Sequence, residues 1–149
     1  MATAASSPDP FVGTWKLDRE KSRFSIGAPP REMMLKIEQE GDNLRITARG
    51  NSEDGSPLSV EYSLPVKGGD GQVRHGFFDR VGSNYVSDTV RETTYLKGGK
   101  ERMSRRTVLS NNGRTMQSIV KGTNAHGHYV AGEEVFNRQT EAGDASSSG

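Results

Sequence analysis

The sequence predicts an all-β protein, an antiparallel up-and-down β-barrel of about eight to ten strands. Apolar residues alternate with polar ones over most of the chain, which is the period of half-buried strands. Glycine-containing pairs with the spacing of two-residue turns separate these runs, and the chain holds 18 glycines in 149 residues. A closed barrel is favoured over a sandwich, the alternative, because closure leaves no exposed sheet edges.

The composition describes one domain and excludes several classes of partner. A net charge of +1 gives no general attraction to nucleic acid or anionic lipid, so we expect neither partner. The absence of cysteine excludes disulfides and thiolate metal sites. No apolar run approaches the ~18 residues that a membrane span needs.

The two ends of the chain have a different composition from the middle. We expect a flexible N-terminal lead over residues 1–10, the barrel domain over 11–139 and a disordered C-terminal tail over 140–149. The lead lacks the basic and apolar regions of a secretory signal, so a cytoplasmic location is the default. An exported form from which the signal has been removed is the alternative.

The first hairpin has a register that turn and pattern predict together. With Gly41-Asp42 as a two-residue turn, Ile37 pairs with Ile46 and Leu35 with Ala48, which puts the apolar residues of both strands on one face. A third strand with the same alternation follows from residue 58. The predicted apolar wall is therefore Met33, Leu35, Ile37, Leu44, Ile46, Leu58, Val60 and Leu64.

The second half of the chain predicts a meander whose inner face carries charges. The turn Gly98-Gly99 pairs Glu92 with Arg105, and the turn Asn112-Gly113 pairs Thr107 with Ser118. A one-residue bulge would move the Glu92–Arg105 pair to the outer face, where such pairs are common. The predicted inward set is Val90, Glu92, Thr94, Leu96, Met103, Arg105, Thr107, Leu109, Met116, Ser118 and Val120.

These inward polar residues predict a wet pocket with one apolar and one polar wall. A buried charge without a partner is costly in free energy. The predicted Glu92–Arg105 pair compensates part of that cost, and hydrogen bonds to water or a ligand must compensate the rest. A barrel of this size has room for one small ligand. The candidate site residues are Glu92, Arg105 and Glu134, with Tyr62, Tyr85, Met103, Thr107, Ser118 and His75 as ligand contacts; His75 lies either at the pocket mouth or simply in a loop.

The run Phe11–Leu17 contains Gly13-Thr14-Trp15 and the only tryptophan of the chain. It resembles the opening strand of lipocalin-like (calycin-type) barrels, and roughly residues 11–138 are similar in architecture to small bacterial barrel proteins. In that family the tryptophan plugs the closed end and an arginine of the last strand lies across it. The resemblance implies that Arg138 is this arginine. Glu134 then points inward and Glu133 outward, whereas a register shift in the last loop would exchange them.

The leading functional prediction is a barrel that binds a small, partly apolar, aromatic ligand with one polar or charged end, without a cofactor. The alternative is an enzyme, since barrels that this chain resembles include cyclases, isomerases and a demethylase. In that reading Glu134 or Glu92 handles a proton and Arg105 stabilises negative charge, with two nearby carboxylates raising one pKa. A module filled by its own side chains is the third option, and assembly into a homo-oligomer is left open.

Two further clusters are interpreted as structural. His126-Gly127-His128, with His75 elsewhere, could suggest a metal site, but the glycine and the preceding Asn124 favour a turn, and we predict no metal. The basic residues around the third hairpin lack interleaved aromatic residues and are interrupted by Glu101, which favours a solvated hairpin tip. They are Lys97, Lys100, Arg102, Arg105 and Arg106.

Overall fold

A computed structural model describes residues 9–139, and within them the chain forms twelve strands and no helix. The predicted tail and most of the predicted lead lie outside the described residues. No helix long and apolar enough to cross a membrane is found in the described part. The strands are β1 (Gly13–Leu17), β2 (Arg23–Ile26), β3 (Glu32–Glu40), β4 (Asn43–Asn51), β5 (Pro57–Pro65), β6 (Gly69–Asp70), β7 (Gln72–His75), β8 (Arg80–Ser87), β9 (Val90–Lys97), β10 (Lys100–Leu109), β11 (Thr115–Thr123) and β12 (Tyr129–Arg138).

A single interrupted strand closes the sheet into a barrel. β6 pairs with β8 and β7 pairs with β5, and only Gly71 lies between β6 and β7. The Gly71 N–H donates to the Val81 carbonyl of β8 at 2.8 Å. With β6 and β7 counted as one, ten strands of the described chain circle the barrel, while β2 pairs with β12 from the side. The predicted all-β fold, an antiparallel up-and-down barrel, is confirmed.

Two of the predicted hairpin registers are confirmed. Ile37 pairs with Ile46 and Leu35 with Ala48 across the Gly41-Asp42 turn. Thr107 pairs with Ser118 across the Asn112-Gly113 turn. All eight residues of the predicted apolar wall line the interior, because the period of two places them on one face of β3, β4 and β5.

The predicted register of β9 against β10 is wrong. A bulge between Glu101 and Met103 adds one residue to β10, so Arg105 pairs with Thr93 and Arg106 with Glu92. The predicted Glu92–Arg105 pair therefore does not form. The faces of β9 are exchanged: Arg91, Thr93 and Tyr95 are buried, while Val90, Glu92, Thr94 and Leu96, which were predicted to point inward, lie on the outer face.

The shifted register avoids burying a further carboxylate. Glu92 accepts a hydrogen bond from Arg106 at 2.6 Å, with both side chains over two-fifths exposed. Tyr95 takes the interior position instead and packs edge-on against Tyr62, with ring centroids 5.5 Å apart. The bulge thus exchanges a costly desolvation for the burial of an aromatic ring.

The closed end of the barrel has the geometry that the resemblance implied. Trp15 is fully buried, and the Arg138 guanidinium lies over its ring at 4.3 Å from the centroid. Arg138 also donates to the carbonyls of Pro10, Val12 and Gly113 at 2.6–2.8 Å. This predicted contact is confirmed.

Candidate ligand-binding cavity

The barrel encloses a cavity of about 120 Å³ with two unlike walls. β3, β4 and β5 supply the apolar wall, and β9, β10 and β11 supply most of the polar groups. The polar lining residues are Tyr62, Arg91, Thr93, Tyr95, Arg105, Thr107 and Ser118. The predicted combination of an apolar and a polar wall is therefore present, although β9 contributes different residues from those predicted.

A smaller cavity of about 90 Å³ lies towards the loops at the open end. It is bordered by the β2–β3, β4–β5 and β11–β12 loops. Both cavities are lined by Met33, Leu58, Phe77, Met103 and Arg105. The two spaces therefore adjoin, and Arg105 is the charged residue at their boundary.

Hydrogen bonds between loops shape this open end. Ser56 Oγ and His126 Nε2 are 3.0 Å apart, and Asn124 Nδ2 donates to Glu53 at 3.3 Å. These contacts join the β4–β5 loop to the β11–β12 loop. Entry of a ligand on this side requires the two loops to separate or the ligand to pass beside them.

Arg105 and Glu134 form the buried ion pair of the cavity. Arg105 Nη1 donates to Glu134 Oε1 at 2.6 Å, and the Glu134 side chain is only 4% exposed. Burial disfavours the charged guanidinium, but the Glu134 carboxylate more than compensates, so the pKa of Arg105 is raised. Glu134 points inward and pairs with Ser118, while Glu133 pairs with Ile119 on the other face, as the Trp15–Arg138 contact predicted.

The ion pair leaves hydrogen-bonding capacity on both partners. The Nη1–Oε1 bond is the only protein hydrogen bond of the Arg105 side chain within residues 9–139. A guanidinium has five N–H donors, so four remain for water or a ligand. Glu134 Oε2 likewise accepts nothing from the described part of the chain. Both residues border the smaller cavity, and Arg105 borders the larger one as well.

Two hydroxyl pairs complete the polar wall. The Tyr62 and Tyr95 hydroxyls are 2.7 Å apart, and the Thr107 and Ser118 hydroxyls are 2.9 Å apart. Burial raises the pKa of Tyr62 well above 10.0, so this phenol stays protonated. In each pair one hydroxyl donates its hydrogen to the other oxygen. The hydroxyl that accepts this bond can still donate to another group.

A second buried ion pair lies at the closed end. Arg91 Nη2 is 3.3 Å from Asp9 Oδ2 and donates to the Val66 carbonyl at 2.9 Å. Its Nε is buried without a partner among the described residues. Asp9 and Pro10, which the sequence assigned to the lead, are thus part of the barrel floor.

The structure brings together six of the nine predicted site residues. Arg105, Glu134, Tyr62, Met103, Thr107 and Ser118 line the joined cavities. Glu92 does not, because the bulge turns it outward, so it supplies no second carboxylate to Glu134. Tyr85 is exposed and donates to Asp88, and His75 is exposed at the end of β7; neither borders the two joined cavities.

Sequence reasoning missed Thr93, Tyr95 and Arg91 as interior residues. Two signals could have found them. Gly122 lies inside β11 opposite Met103, and a Cβ there would be 2.3 Å from the Arg102 carbonyl oxygen, which is the close backbone approach typical of a bulged neighbour. The second signal is the large apolar ring of Tyr95, which favours the strand orientation that places residues 91, 93 and 95 on the inner face.

In the described chain the two histidines of the β11–β12 loop belong to no larger group of metal-ligand side chains, and the basic cluster is divided between the surface and the barrel interior. No group of three or more His, Asp or Glu side chains within residues 9–139 is arranged to hold a metal ion. The His126 and His128 rings are 6.5 Å apart, and His126 Nε2 contacts Ser56. Of the basic cluster, Arg105 points into the barrel rather than to the surface.

The fold and the cavity define a class: an up-and-down β-barrel with a tryptophan–arginine closed end and an enclosed interior containing an ion pair. Among solved structures, apocrustacyanin C2 is similar with a TM-score of 0.43 and 11% identity, over 97% of this chain and 69% of that chain. Lobster apocrustacyanin A1 is similar with a TM-score of 0.42 and 11% identity, over 95% and 68%. Similarity at this level concerns the fold alone. No protein-family model and no curated protein matches the sequence.

Proposed function

We propose that the barrel binds a small, partly apolar, aromatic ligand in the joined cavities, with its polar end at Arg105. The observation that carries this proposal is a half-buried guanidinium, fixed by Glu134, whose four other N–H groups bind no described residue, at the wall of a largely apolar chamber. Polar groups at the wall of a cavity bind water or a ligand where the protein supplies no partner. A ligand oxygen would supply one here, and the apolar wall would supply affinity for the rest of the molecule.

The size and lining of the chamber favour a single ring. An engineered apolar cavity of about 150 Å³ in another protein binds benzene, and the larger cavity here measures about 120 Å³. Tyr62, Phe78 and Tyr95 already pack edge-to-face or tilted, with centroids 4.7–5.6 Å apart. Another ring would fit the same kind of contact.

The methionines offer a direct test. Met33, Met103 and Met116 line the cavity, whereas Met34 is 40% exposed on the outer face of the same strand as Met33. With methyl-¹³C methionine, addition of benzamide or toluene is expected to shift the three interior methyl signals and leave that of Met34 unchanged. Met34 serves as the internal control.

Two results would contradict the proposal. A shift of the Met34 signal equal to those of Met33, Met103 and Met116 would indicate weak surface association, and no shift with either compound at millimolar concentration would indicate that the interior does not admit a ring. The second result would favour a barrel filled by its own side chains.

The enzyme alternative is supported by one observation, the free Oε2 of Glu134 beside the Arg105 guanidinium. This arrangement combines a proton acceptor with a cation that stabilises the resulting negative charge. For a compound that the protein converts, Glu134→Gln is expected to abolish conversion while the interior methionine shifts persist. Retained conversion in this variant would exclude Glu134 as the proton acceptor.

We also propose that the chain is a distant relative of lipocalin-like barrels. The support is the Trp15–Arg138 contact at the closed end.

A further inference from the structure

We propose that the cavity selects uncharged ligands that carry a hydrogen-bond acceptor and donor side by side, as in an aromatic carboxamide or lactam. This inference rests on the proposed function and adds the chemical class of the ligand. It is based on the ion pair between Arg105 and Glu134, on the position of this pair at the cavity wall, and on the N–H groups and carboxylate oxygen that the pair leaves without a protein partner.

Charge is the first argument, because the pair is neutral as a unit. Arg105 and Glu134 compensate each other at 2.6 Å, and at the closed end Arg91 is likewise matched by Asp9. A ligand carboxylate or ammonium would bring one uncompensated charge into a site where desolvation is costly. Glu53, which borders the smaller cavity, further disfavours an anion.

Hydrogen bonding is the second argument. Arg105 offers N–H donors and Glu134 Oε2 offers an acceptor, and both residues border the smaller cavity. A carboxamide or lactam presents the complementary edge, a C=O beside an N–H, so the carbonyl accepts from Arg105 and the N–H donates to Glu134. A ligand with an acceptor alone would leave the carboxylate oxygen without a partner, which is the costly arrangement for a buried polar group.

The test compares four compounds of similar size: benzamide, benzoate, benzylamine and toluene. Dissociation constants are read from the interior methionine methyl shifts at pH 7. Benzamide is expected to bind at least about tenfold more tightly than each of the others, which is the effect of roughly one well-placed hydrogen bond. Toluene should bind more weakly but at the same methyl groups.

Two variants change the selectivity in predictable directions. Glu134→Gln leaves the Arg105 charge uncompensated and is expected to make benzoate the preferred compound. The double variant Arg105→Met with Glu134→Leu removes both charges and keeps the volume filled. It is expected to retain toluene binding and to lose the preference for benzamide.

The outcomes distinguish this inference from the proposed function. If toluene binds the interior as tightly as benzamide, or if benzoate binds most tightly to the natural protein, the cavity binds ligands but the inference is wrong. If none of the four compounds shifts the interior methyl groups, both are wrong for ring-sized ligands. An unchanged preference for benzamide in the double variant would also overturn the inference.

Discussion

At the scale of single residues, the stability of the folded protein depends on the ion pair between Arg105 and Glu134. Removal of one partner of a buried ion pair leaves an uncompensated charge and costs roughly 3–5 kcal/mol. Arg105→Met is therefore expected to lower the free energy of unfolding by about this amount. Urea denaturation followed by the fluorescence of Trp15 measures the change.

The double variant Arg105→Met with Glu134→Leu is the matched control for that loss. Replacement of a whole buried pair by apolar residues of similar volume is often neutral. Most of the stability lost in the single variant should therefore return. Equal destabilisation in both variants would show that packing, and not the unpaired carboxylate, determines the loss.

Tyr62 predicts how stability depends on alkaline pH. Burial raises its pKa in the folded state, whereas in the unfolded chain a tyrosine titrates near 10. At pH values below the pKa of the unfolded state, Tyr62 makes its full contribution to the free energy of unfolding. As pH rises above that pKa, the unfolded chain releases the proton while the folded chain retains it, so the free energy of unfolding falls.

Comparison of variants between pH 9 and 11.5 tests this assignment. Tyr62→Phe should lose stability less steeply with pH than the natural protein. Tyr129→Phe, on the outer surface, should follow the natural protein's curve. The same slope in all three proteins would contradict the assignment to Tyr62.

The inward position of Glu134 could be predicted from the sequence, and its partner could not. Arg138 and Glu134 are four residues apart in one strand, so a strand period of two gives them the same face. Once Trp15 and Arg138 are assigned to the closed end, Glu134 must point inward. Its bond to Arg105 crosses β11 and depends on side-chain reach, which the pattern of residues does not encode.

At the scale of elements, a single inserted residue determines which charges enter the barrel. The turn chemistry predicted three hairpin registers, and two are observed. In the third, the bulge before Met103 reverses the parity of β9 and replaces Glu92 by Thr93 and Tyr95 in the interior. Alternation within Lys100–Leu109 does not reveal this insertion, because outward arginines and inward arginines look alike in sequence. Gly122 on the neighbouring strand and the large ring of Tyr95 are the two signals that indicate it.

The closing strand gives a second element-scale prediction. A Cβ on Gly71 would lie 1.9 Å from the Ser63 carbonyl oxygen, so Gly71→Ala must separate β7 from β5. We expect a loss of about 2 kcal/mol in the free energy of unfolding, as for other overpacked positions, together with weaker binding of toluene. Thermal denaturation and the methionine shifts measure the two effects.

Gly82→Ala is the matched control for the closing strand. Gly82 lies on β8, and the nearest atom to its added Cβ is the movable Asp70 carboxylate at 3.3 Å. This variant should keep most of the stability and all of the binding. If Gly82→Ala were as damaging as Gly71→Ala, loss of glycine in general and not closure of the barrel would be the cause.

At the scale of the whole molecule, one end of the barrel is closed by the N-terminal segment and Arg138. Lysine cannot hold three carbonyls and a ring face as the planar guanidinium does. Arg138→Lys is therefore expected to lower the free energy of unfolding by at least about 2 kcal/mol, since each hydrogen bond from a charged group contributes about 1.5–3 kcal/mol. The benzamide preference should persist, because the ion pair in the cavity is untouched. Loss of that preference would show that the closed end also shapes the ligand site.

The most direct test of a ligand held inside the barrel by Arg105 is a crystal structure of the complex with 4-bromobenzamide, with the bromine located by anomalous scattering. The bromine is expected in the apolar part of the larger cavity, among the β3, β4 and β5 side chains, with the amide at Arg105 and Glu134. A bromine on the outer surface, or an amide directed away from Arg105 within the barrel, would contradict the account.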